Sequence, residues 1–499
     1  MRHPLPKRLL FSGLLAAAVT FAFAPAAPVG AAGEAATARP PRFSVDWAPC
    51  PTAPTKQCGT MQVPVDWSKP GGEQTTVAAA RRPADDPAHR IGTLFFNPGG
   101  PGDGEAHYVV DEDDWYFSPA LRARFDIVGL DPRTTGGSTH VKCGDVPAIT
   151  PTDTVFPRSE REFQAMVRHN REVGLGCLRN TGALLAHTDT VSVARDHEAL
   201  RVALGVDQVT WLGISYGTQL AANYAELFPR RTRAMVLDAA LEHGQPEVQQ
   251  VADEMTAAEE SFNRFATWCD TAPTCKLRGQ DVGAVFDRLV AGADRKPIPV
   301  EGALRPVTGE DIRMATVGRL RFKDAEEVFG PGASWAGFSE ALARAVDGDA
   351  SEFIVAPAGV VLDGFFDRFA IGCMEYVPQV TTYAEMRQRI QMGRQLAPHL
   401  QGASETWQVN RCIGWPVPVA NPPRLLDVRG VPALFVHAAH DASDPYRWAH
   451  SLAAQVQGSA LLTRTGDGHT SYHTSACARN ATDQYLIRPQ APPDRICEG

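Results

Sequence analysis

Short apolar runs, each closed by a turn-forming residue, predict the β-strands in the first half of this chain. Between residues 43 and 243 the runs cover 93–97, 125–131, 209–212 and 234–238. Apolar residues at helical spacing occupy the intervals, most clearly over 191–204 and 219–228. Strands that alternate with helices favour right-handed crossovers, which produce a parallel sheet covered by helices on both faces.

The middle of the chain has a different pattern, because helical periodicity dominates between residues 244 and 424. Helices are predicted over 248–267, 282–291, 325–346 and 384–396. The strand pattern returns at 431–437 and 460–463. We therefore predict one sheet built in two parts, 43–243 and 425–499, with a mainly helical cap, 244–424, over the carboxyl ends of the strands. Open α/β sheets place their functional sites at that edge.

Residues 1–32 have the features of an export signal. Basic residues at positions 2, 7 and 8 precede an apolar stretch over 9–24, and small residues follow. An uncleaved membrane anchor is the alternative, although the stretch is short for a bilayer. Residues 33–42 are rich in alanine and proline, which predicts a disordered lead or a short pro-segment. The sequence thus predicts a secreted, extracellular protein.

The composition fits export. The 499 residues carry a formal net charge of -9, so no basic surface for nucleic acid is expected. The cysteine count is ten, an even number that fits disulfides formed in an oxidising compartment. The simplest pairing is sequential: Cys50–Cys58, Cys143–Cys177, Cys269–Cys275, Cys373–Cys412 and Cys477–Cys497.

The strand predicted at 209–212 leads directly into Gly213-Ile214-Ser215-Tyr216-Gly217, which matches the pattern G-x-S-x-G. A strand that breaks into this pattern and continues as a helix is typical of the nucleophile elbow of serine hydrolases. The positions beside the serine must be small, because the turn is strained and the following helix packs close. Ser215 is therefore the candidate nucleophile.

A serine hydroxyl needs a base, and the base needs an acid that orients it. In sheets of this kind the order along the chain is nucleophile, acid, histidine. Asp441 follows the strand predicted at 431–437, and His469 follows the next strand. These positions predict a catalytic triad of Ser215, Asp441 and His469. The alternatives in the sequence are Asp238 and Asp444 for the acid and His473 for the base.

A metal site is a further alternative, since His437, His440 and Asp441 together resemble a ligand cluster. No other ligand at helical spacing accompanies them, and the chain has no C-x-x-C pair. We therefore expect no metal and no cofactor. We also expect a monomer without stable membrane association.

The tetrahedral intermediate of acyl transfer needs backbone N–H donors for its oxyanion. One donor is expected at Tyr216, directly after the nucleophile. The second is expected from the glycine turn over 97–102, which follows the strand predicted at 93–97. Glycines in such a turn let the backbone point its amides at the substrate.

Several segments together resemble one known group of proteins. They are Asn97-Pro98-Gly99-Gly100-Pro101-Gly102, residues 125–133, residues 213–217, Asp441 and Gly468-His469. These segments are similar to those of the secreted α/β-hydrolase peptidases related to prolyl aminopeptidase, especially the tripeptidyl aminopeptidase type. The resemblance implies an α/β-hydrolase core, the triad Ser215, Asp441 and His469, and oxyanion donors at Gly100 and Tyr216. It also implies release of short peptides, commonly tripeptides, from the free N-termini of peptides or proteins.

An exopeptidase of this kind must bind an ammonium group at a fixed distance from the scissile bond, which calls for a carboxylate in the cap. Glu375, close to Cys373, is the first candidate, and Asp363 and Asp367 are others. Two other functions stay open at this point. One is an esterase acting on a small molecule, and the other is a non-catalytic secreted binding protein on the same fold.

Overall fold

The computed structural model describes residues 43–324, 332–358, 365–492 and 495–498. The predicted signal peptide and lead lie outside these ranges, as do the first seven residues of the helix predicted at 325–346. Within the described ranges, none of the helices combines the length and the apolar character needed to cross a membrane.

The described strands form one ten-stranded sheet. They are β1 (Ala48–Pro49), β2 (Gln57–Pro64), β3 (Gln74–Arg82), β4 (Gly92–Asn97), β5 (Phe125–Leu130), β6 (Val209–Ile214), β7 (Thr232–Asp238), β8 (Ala433–His440), β9 (Ala460–Asp467) and β10 (Ile496–Cys497). Their order across the sheet is β1-β2-β3-β5-β4-β6-β7-β8-β9-β10. The pairs from β5–β4 to β9–β10 are parallel, which confirms the predicted fold class. The antiparallel edge formed by β1, β2 and β3 was not predicted.

Helices flank this sheet and also form a separate layer. The helices are α1 (Ala106–Val110), α2 (Asp113–Tyr116), α3 (Pro119–Arg124), α4 (Glu160–Thr181), α5 (Thr190–Ala203), α6 (Tyr216–Leu227), α7 (Glu247–Thr271), α8 (Val282–Arg295), α9 (Gly309–Leu320), α10 (Trp335–Val346), α11 (Phe365–Glu375), α12 (Tyr383–Leu396), α13 (Tyr446–Ala454) and α14 (Ala476–Ile487). A 3₁₀ segment, Glu405–Cys412, lies between α12 and α13. The long α4, together with α9 and α11, was not predicted.

The sheet is buried on both faces, as expected for strands that read as continuous apolar runs. Consecutive residues of β4 show this directly. Phe95 packs on one face, with its ring 5.4 Å from that of Trp211, and Phe96 packs on the other, 4.9 Å from Phe117. All six residues of β6 are buried, so the strand that leads to Ser215 lies at the centre of the fold.

The helices between β7 and β8, α7 to α12, together with the 3₁₀ segment, form this helical layer. The layer has an aromatic core of its own. Phe265 on α7 lies 4.6 Å from Phe338 and 5.9 Å from Trp335, which both belong to α10. Phe262 on the same helix packs on Phe286 of α8 at 4.7 Å. Each of these rings is almost fully buried, so this layer is held together by hydrophobic packing independent of the sheet.

Five cysteine pairs lie at disulfide distance in the predicted sequential arrangement. The pair Cys373–Cys412 joins α11 to the end of the 3₁₀ segment. This cross-link closes a loop of 39 residues and fixes two parts of the helical layer that both face the site described below.

Candidate active site

The register of the parallel strands brings their carboxyl ends to one edge of the sheet. Asn97 at the end of β4 stands beside Gly213, and Ile214 at the end of β6 stands beside Asp238. The loops that follow these strands and the neighbouring β8 and β9 therefore meet at this edge. The predicted site residues Gly100, Ser215, Asp441 and His469 lie on those loops, and Tyr216 is the first residue of α6.

Ser215 occupies the turn between β6 and α6 with a φ of 55°, in the region that side chains other than glycine rarely adopt. Its glycine neighbours are required by close packing. A Cβ at Gly213 would lie 2.3 Å from the carbonyl oxygen of Gly217, and a Cβ at Gly217 would lie 2.4 Å from that of Asn97. The backbone thus has the strained geometry expected of a nucleophile elbow.

Asp441 and His469 lie together on the loops that follow β8 and β9. Nδ1 of His469 is 2.9 Å from Oδ2 of Asp441 and 3.2 Å from Oδ1. The backbone amides of Ser443 and Asp444 donate to Asp441 Oδ1 at 2.8 and 3.1 Å, which fixes the carboxylate. With Nδ1 donating its hydrogen to Asp441, Nε2 is the basic nitrogen of His469.

The loop that carries His469 is fixed from two sides. The carboxylate of Asp238 accepts hydrogen bonds from the amides of Ser471 and Tyr472 at 2.7–3.0 Å. From the helical layer, the carbonyl oxygen of Arg321 accepts the amide hydrogen of His469 at 2.6 Å. Asp238 therefore orients the loop that carries the imidazole and is bonded to backbone rather than to the imidazole.

Two other histidines considered in the sequence lie in structural positions. Nε2 of His473 is 3.2 Å from the carbonyl oxygen of Tyr116. At His437, Nδ1 accepts from the amide of Ala240 and Nε2 donates to the carbonyl oxygen of Asp444, so backbone bonds occupy both ring nitrogens.

The hydroxyl of Ser215 is hydrogen-bonded to a second acid. Its Oγ lies 3.4 Å from Oδ2 of Asp444. Within the part of the chain that the structure describes, no hydrogen bond joins this hydroxyl to His469. The structure therefore brings the candidate acid Asp441 and the candidate base His469 together, and places Ser215 in contact with the alternative acid, Asp444.

Burial and neighbouring charges shift the pKa values of Asp441, His469 and Asp444 in different ways. Burial by itself raises the pKa of Asp441, but the charge and hydrogen bond of His469 outweigh it and keep the pKa well below its usual range. Burial lowers the pKa of His469, and the Asp441 carboxylate outweighs that effect and raises it to about 9. Burial raises the pKa of Asp444 to about 7, with the negative charge of Asp441 adding to the shift.

The glycine turn after β4 packs closely against Ser215. A Cβ at Gly99 would lie 2.8 Å from that of Ser215, so only glycine fits there. The side chain of Asn97 accepts the amide hydrogen of Gly99 at 2.9 Å and donates to the carboxylate of Glu105. Glu105 is fully buried, and burial raises its pKa to about 7. Sequence reasoning missed this support, because an isolated Asn and Glu carry no pattern.

A cavity opens directly on Ser215. It encloses about 790 Å³ of empty space, solvent included, and Gly100, Ser215 and Tyr216 form one wall. Tyr216 is the first residue of α6, so its N–H has no acceptor within the helix. The opposite wall comes from the helical layer, including α7, α11 and the 3₁₀ segment. The described charged residues that line the cavity are Glu254, Glu375, Glu405, Asp444 and Arg368.

Glu375, the predicted ammonium-binding residue, lines this cavity and is 2% exposed. Its Oε1 accepts from the amide and the hydroxyl of Thr190 at 2.6 and 2.8 Å. Its Oε2 accepts from the side-chain amides of Gln219 and Asn421 at 2.7 and 2.8 Å. Burial, with a contribution from the charge of Asp189, raises the pKa of Glu375 to about 7.

The other acids differ from Glu375 in their partners. Glu405 forms an ion pair with Arg321, whose charge outweighs burial and lowers the pKa of Glu405. Asp367 is bonded to the amide of Val141 and to His140, both at 2.8 Å. Asp363 lies outside the described residues. Glu254 and Glu405 were not singled out in the sequence, because only the folded cap brings them to the site.

Comparison with known proteins agrees with this geometry. The family model for the alpha/beta hydrolase fold matches residues 92–306, and that for TAP-like protein matches residues 398–497. Serine protease Hip1 of Mycobacterium tuberculosis is 30% identical, over 90% of each chain. Tripeptidyl aminopeptidase of Streptomyces lividans is 28% identical, over 91% of this chain and 86% of its own. Carboxylesterase B of Mycobacterium tuberculosis is 31% identical, over 99% of this chain and 98% of its own.

These matches span nearly the full chain, and the two family models cover both parts of the sheet with the loops that carry Ser215, Asp441 and His469. The strained serine turn and the paired acid and histidine are the features that such enzymes need. The chain belongs to the α/β-hydrolase family, in its TAP-like group, and is a serine hydrolase.

Proposed function

We propose that this protein is a secreted serine exopeptidase that releases short peptides, with tripeptides as the expected product, from free N-termini. The observation that carries the proposal is the charge of the cavity beside Ser215, which is lined by four carboxyl groups and one guanidinium, with Glu405 paired to Arg321. A cavity of this charge favours a substrate with an ammonium group. The relatives named serine protease and tripeptidyl aminopeptidase support a peptide substrate, and the five cysteine pairs support an oxidising destination.

In the proposed mechanism, Ser215 attacks the scissile carbonyl carbon while its proton passes to Nε2 of His469. Asp441 keeps the imidazole oriented and stabilises its protonated form. The N–H groups of Gly100 and Tyr216 donate to the developing oxyanion. The imidazolium then protonates the leaving amine, and the N-terminal peptide stays on Ser215 as an ester until water attacks by the same route, which releases the peptide and restores the hydroxyl.

Glu375 is the proposed partner of the substrate ammonium. The four hydrogen bonds that it accepts come from uncharged groups of Thr190, Gln219 and Asn421. Nε2 of His243 lies 3.4 Å from its Oε2, but burial lowers the pKa of His243 to about 4, so that ring is neutral at pH 7. An ionised Glu375 therefore has no balancing positive charge among these partners, and a bound ammonium would supply one.

Glu375→Gln is expected to raise KM for peptides with a free N-terminus by about 10- to 100-fold, because a charge-assisted bond to the ammonium is lost. The same variant should change KM for an N-acetylated ester by less than about 2-fold. Steady-state kinetics on the two substrates measure the difference. The matched control is Glu340→Gln, an exposed glutamate on α10. Equal losses on both substrates would remove Glu375 from this role.

The preference for a free N-terminus is expected to depend on pH. The ratio of kcat/KM for a free peptide to that for its N-acetylated form should fall below about pH 7, because Glu375 gains a proton there. The ratio should also fall above about pH 8, where the substrate amine loses its charge. Protonation of His469 affects both substrates and cancels in the ratio. A ratio that stays constant from pH 5 to pH 9 would contradict an ionic subsite.

An esterase is the second candidate, and the 31% identity to a protein named carboxylesterase B favours it. Acyl esters and peptides pass through the same acyl-enzyme, so the triad does not separate them. Products from a mixed peptide library, identified by mass spectrometry, test the main proposal directly. Tripeptides released from unblocked N-termini would support it. Intact peptides together with rapid hydrolysis of short acyl esters would favour the esterase, and no turnover of either would favour a binding protein.

A further inference from the structure

We propose that Asp444 is a positioning residue that holds the Ser215 hydroxyl in the resting enzyme and sets the pH range in which His469 acts as the base. This inference rests on the proposed function, because it takes Ser215 as the nucleophile and His469 as its base. It adds a second carboxylate to the catalytic cluster, with a role different from that of Asp441.

The first observation is the position of the Asp444 carboxylate. Its Oδ2 lies 3.4 Å from Oγ of Ser215 and 3.8 Å from Nδ1 of His469. One oxygen atom of Asp444 is therefore hydrogen-bonded to Ser215 and lies close enough to the imidazole of His469 for an electrostatic interaction. At 3.4 Å the contact with the hydroxyl is long for an O–H···O bond, so rotation of Ser215 towards His469 costs little.

The second observation is the difference between the two acids. The Asp441 carboxylate accepts hydrogen bonds from two backbone amides in addition to its bond with His469. In the described part of the structure, Ser215 is the sole hydrogen-bond donor to the Asp444 carboxylate. Asp441 is thus fixed and stabilised as an anion. Asp444 is 4% exposed, lines the cavity and lacks such donors.

The third observation concerns the charges around Asp444. Arg321 and Glu405 form an ion pair with each other, so the positive charge of Arg321 is not available to Asp444 alone. The ionisable groups that face Asp444 are Asp441 of its own loop, His469 after β9, Arg321 after α9, Glu405 of the 3₁₀ segment, Tyr376 after α11 and Glu254 across the cavity. His437 at the end of β8 contacts its carbonyl oxygen instead.

These contacts have two consequences for the resting enzyme. An ionised Asp444 accepts the Ser215 hydrogen, so the hydroxyl is not committed to His469 before substrate binds. Its charge also stabilises the protonated imidazole, because opposite charges within about 4–6 Å favour the ionised forms of both groups. Both effects keep the enzyme less active above about pH 7, where Asp444 is ionised, than the Asp441–His469 pair alone would make it.

Asp444→Asn removes the charge and keeps the size of the side chain. The expected result is that the midpoint of the pH profile of kcat/KM for an N-acetylated ester moves down by about one to three pH units. The midpoint of the pH profile of the fluorophosphonate labelling rate should also move down. An unshifted or raised midpoint would overturn the proposal, and so would a loss of activity by one constant factor at every pH, since that indicates a structural role.

Three further variants keep the test decisive. Asp427→Asn removes an exposed carboxylate paired with Arg429 and should leave the profile unchanged. If Asp444→Asn does not fold, as judged by urea unfolding, Asp444→Thr supplies a smaller neutral side chain for the same measurement. Ser215→Ala distinguishes a failure of the proposed function from a failure of the role given to Asp444. Labelling that survives in Ser215→Ala overturns the proposed function, whereas loss of labelling with an unshifted Asp444→Asn profile overturns only the role of Asp444.

Discussion

Ser215→Ala is expected to lower kcat on every substrate by about 10⁴- to 10⁶-fold, and to abolish covalent labelling by a fluorophosphonate. The alanine keeps the strained turn and the cavity but removes the atom that forms the acyl bond. Asp441 and His469 would still be paired, yet they would have no hydroxyl to deprotonate. Initial rates on peptide and ester substrates, with intact-mass analysis after labelling, measure the loss.

The matched control is Ser68→Ala, an exposed serine outside the site. The Ser68→Ala protein should be labelled by the fluorophosphonate and should hydrolyse substrates at the same rates as the unaltered protein. Asp441→Asn is expected to lower kcat by about 10⁴-fold without preventing folding, because an amide can hold the other tautomer of the imidazole. Labelling of Ser215→Ala at a different residue would show that the nucleophile has been assigned wrongly.

The largest effect on stability is expected for Arg133→Met. The guanidinium of Arg133 is fully buried and donates to both oxygens of Asp196 at 2.6 and 2.8 Å. It also donates to the carbonyl oxygens of Pro64, Val65 and His187 at 2.8–3.0 Å. Its loss leaves a buried carboxylate and three carbonyl groups without these donors. The expected cost is about 3–5 kcal/mol in the free energy of unfolding, measured by urea titration.

The control for this variant is Arg429→Met, since Arg429 and its partner Asp427 are both exposed. That change should lower the free energy of unfolding by about 0.5 kcal/mol or less. A double variant, Arg133→Met with Asp196→Leu, should recover part of the stability because no charge is then buried without a partner. Equal effects of Arg133→Met and Arg429→Met would contradict the role assigned to the buried pair.

The central strands were predictable because their signals are local. The apolar runs at 93–97 and 209–212 correspond to β4 and β6, which are buried on both faces and carry no charged residue. The turn at Ser215 was predictable for a related reason, since close packing admits only small residues on either side of it.

Other features depend on contacts that no local pattern records. β3 contains three consecutive alanines and one buried face, so its apolar signal is weak, and it becomes a strand through pairing with β2 and β5. The acids of the cavity are far apart in the sequence and look like surface residues. The contact between Ser215 and Asp444 depends on side-chain placement within a loop, which spacing alone does not determine.

The hydrogen bond from the amide of His469 to the carbonyl oxygen of Arg321 has a consequence for protein engineering. Gly468 packs against the same carbonyl, since a Cβ there would lie only 2.8 Å from it. The helical layer is thus a structural neighbour of the base as well as a wall of the cavity. A chimera that exchanges residues 244–424 with those of a relative must therefore reproduce the backbone path at position 321, or the imported segment will displace the imidazole.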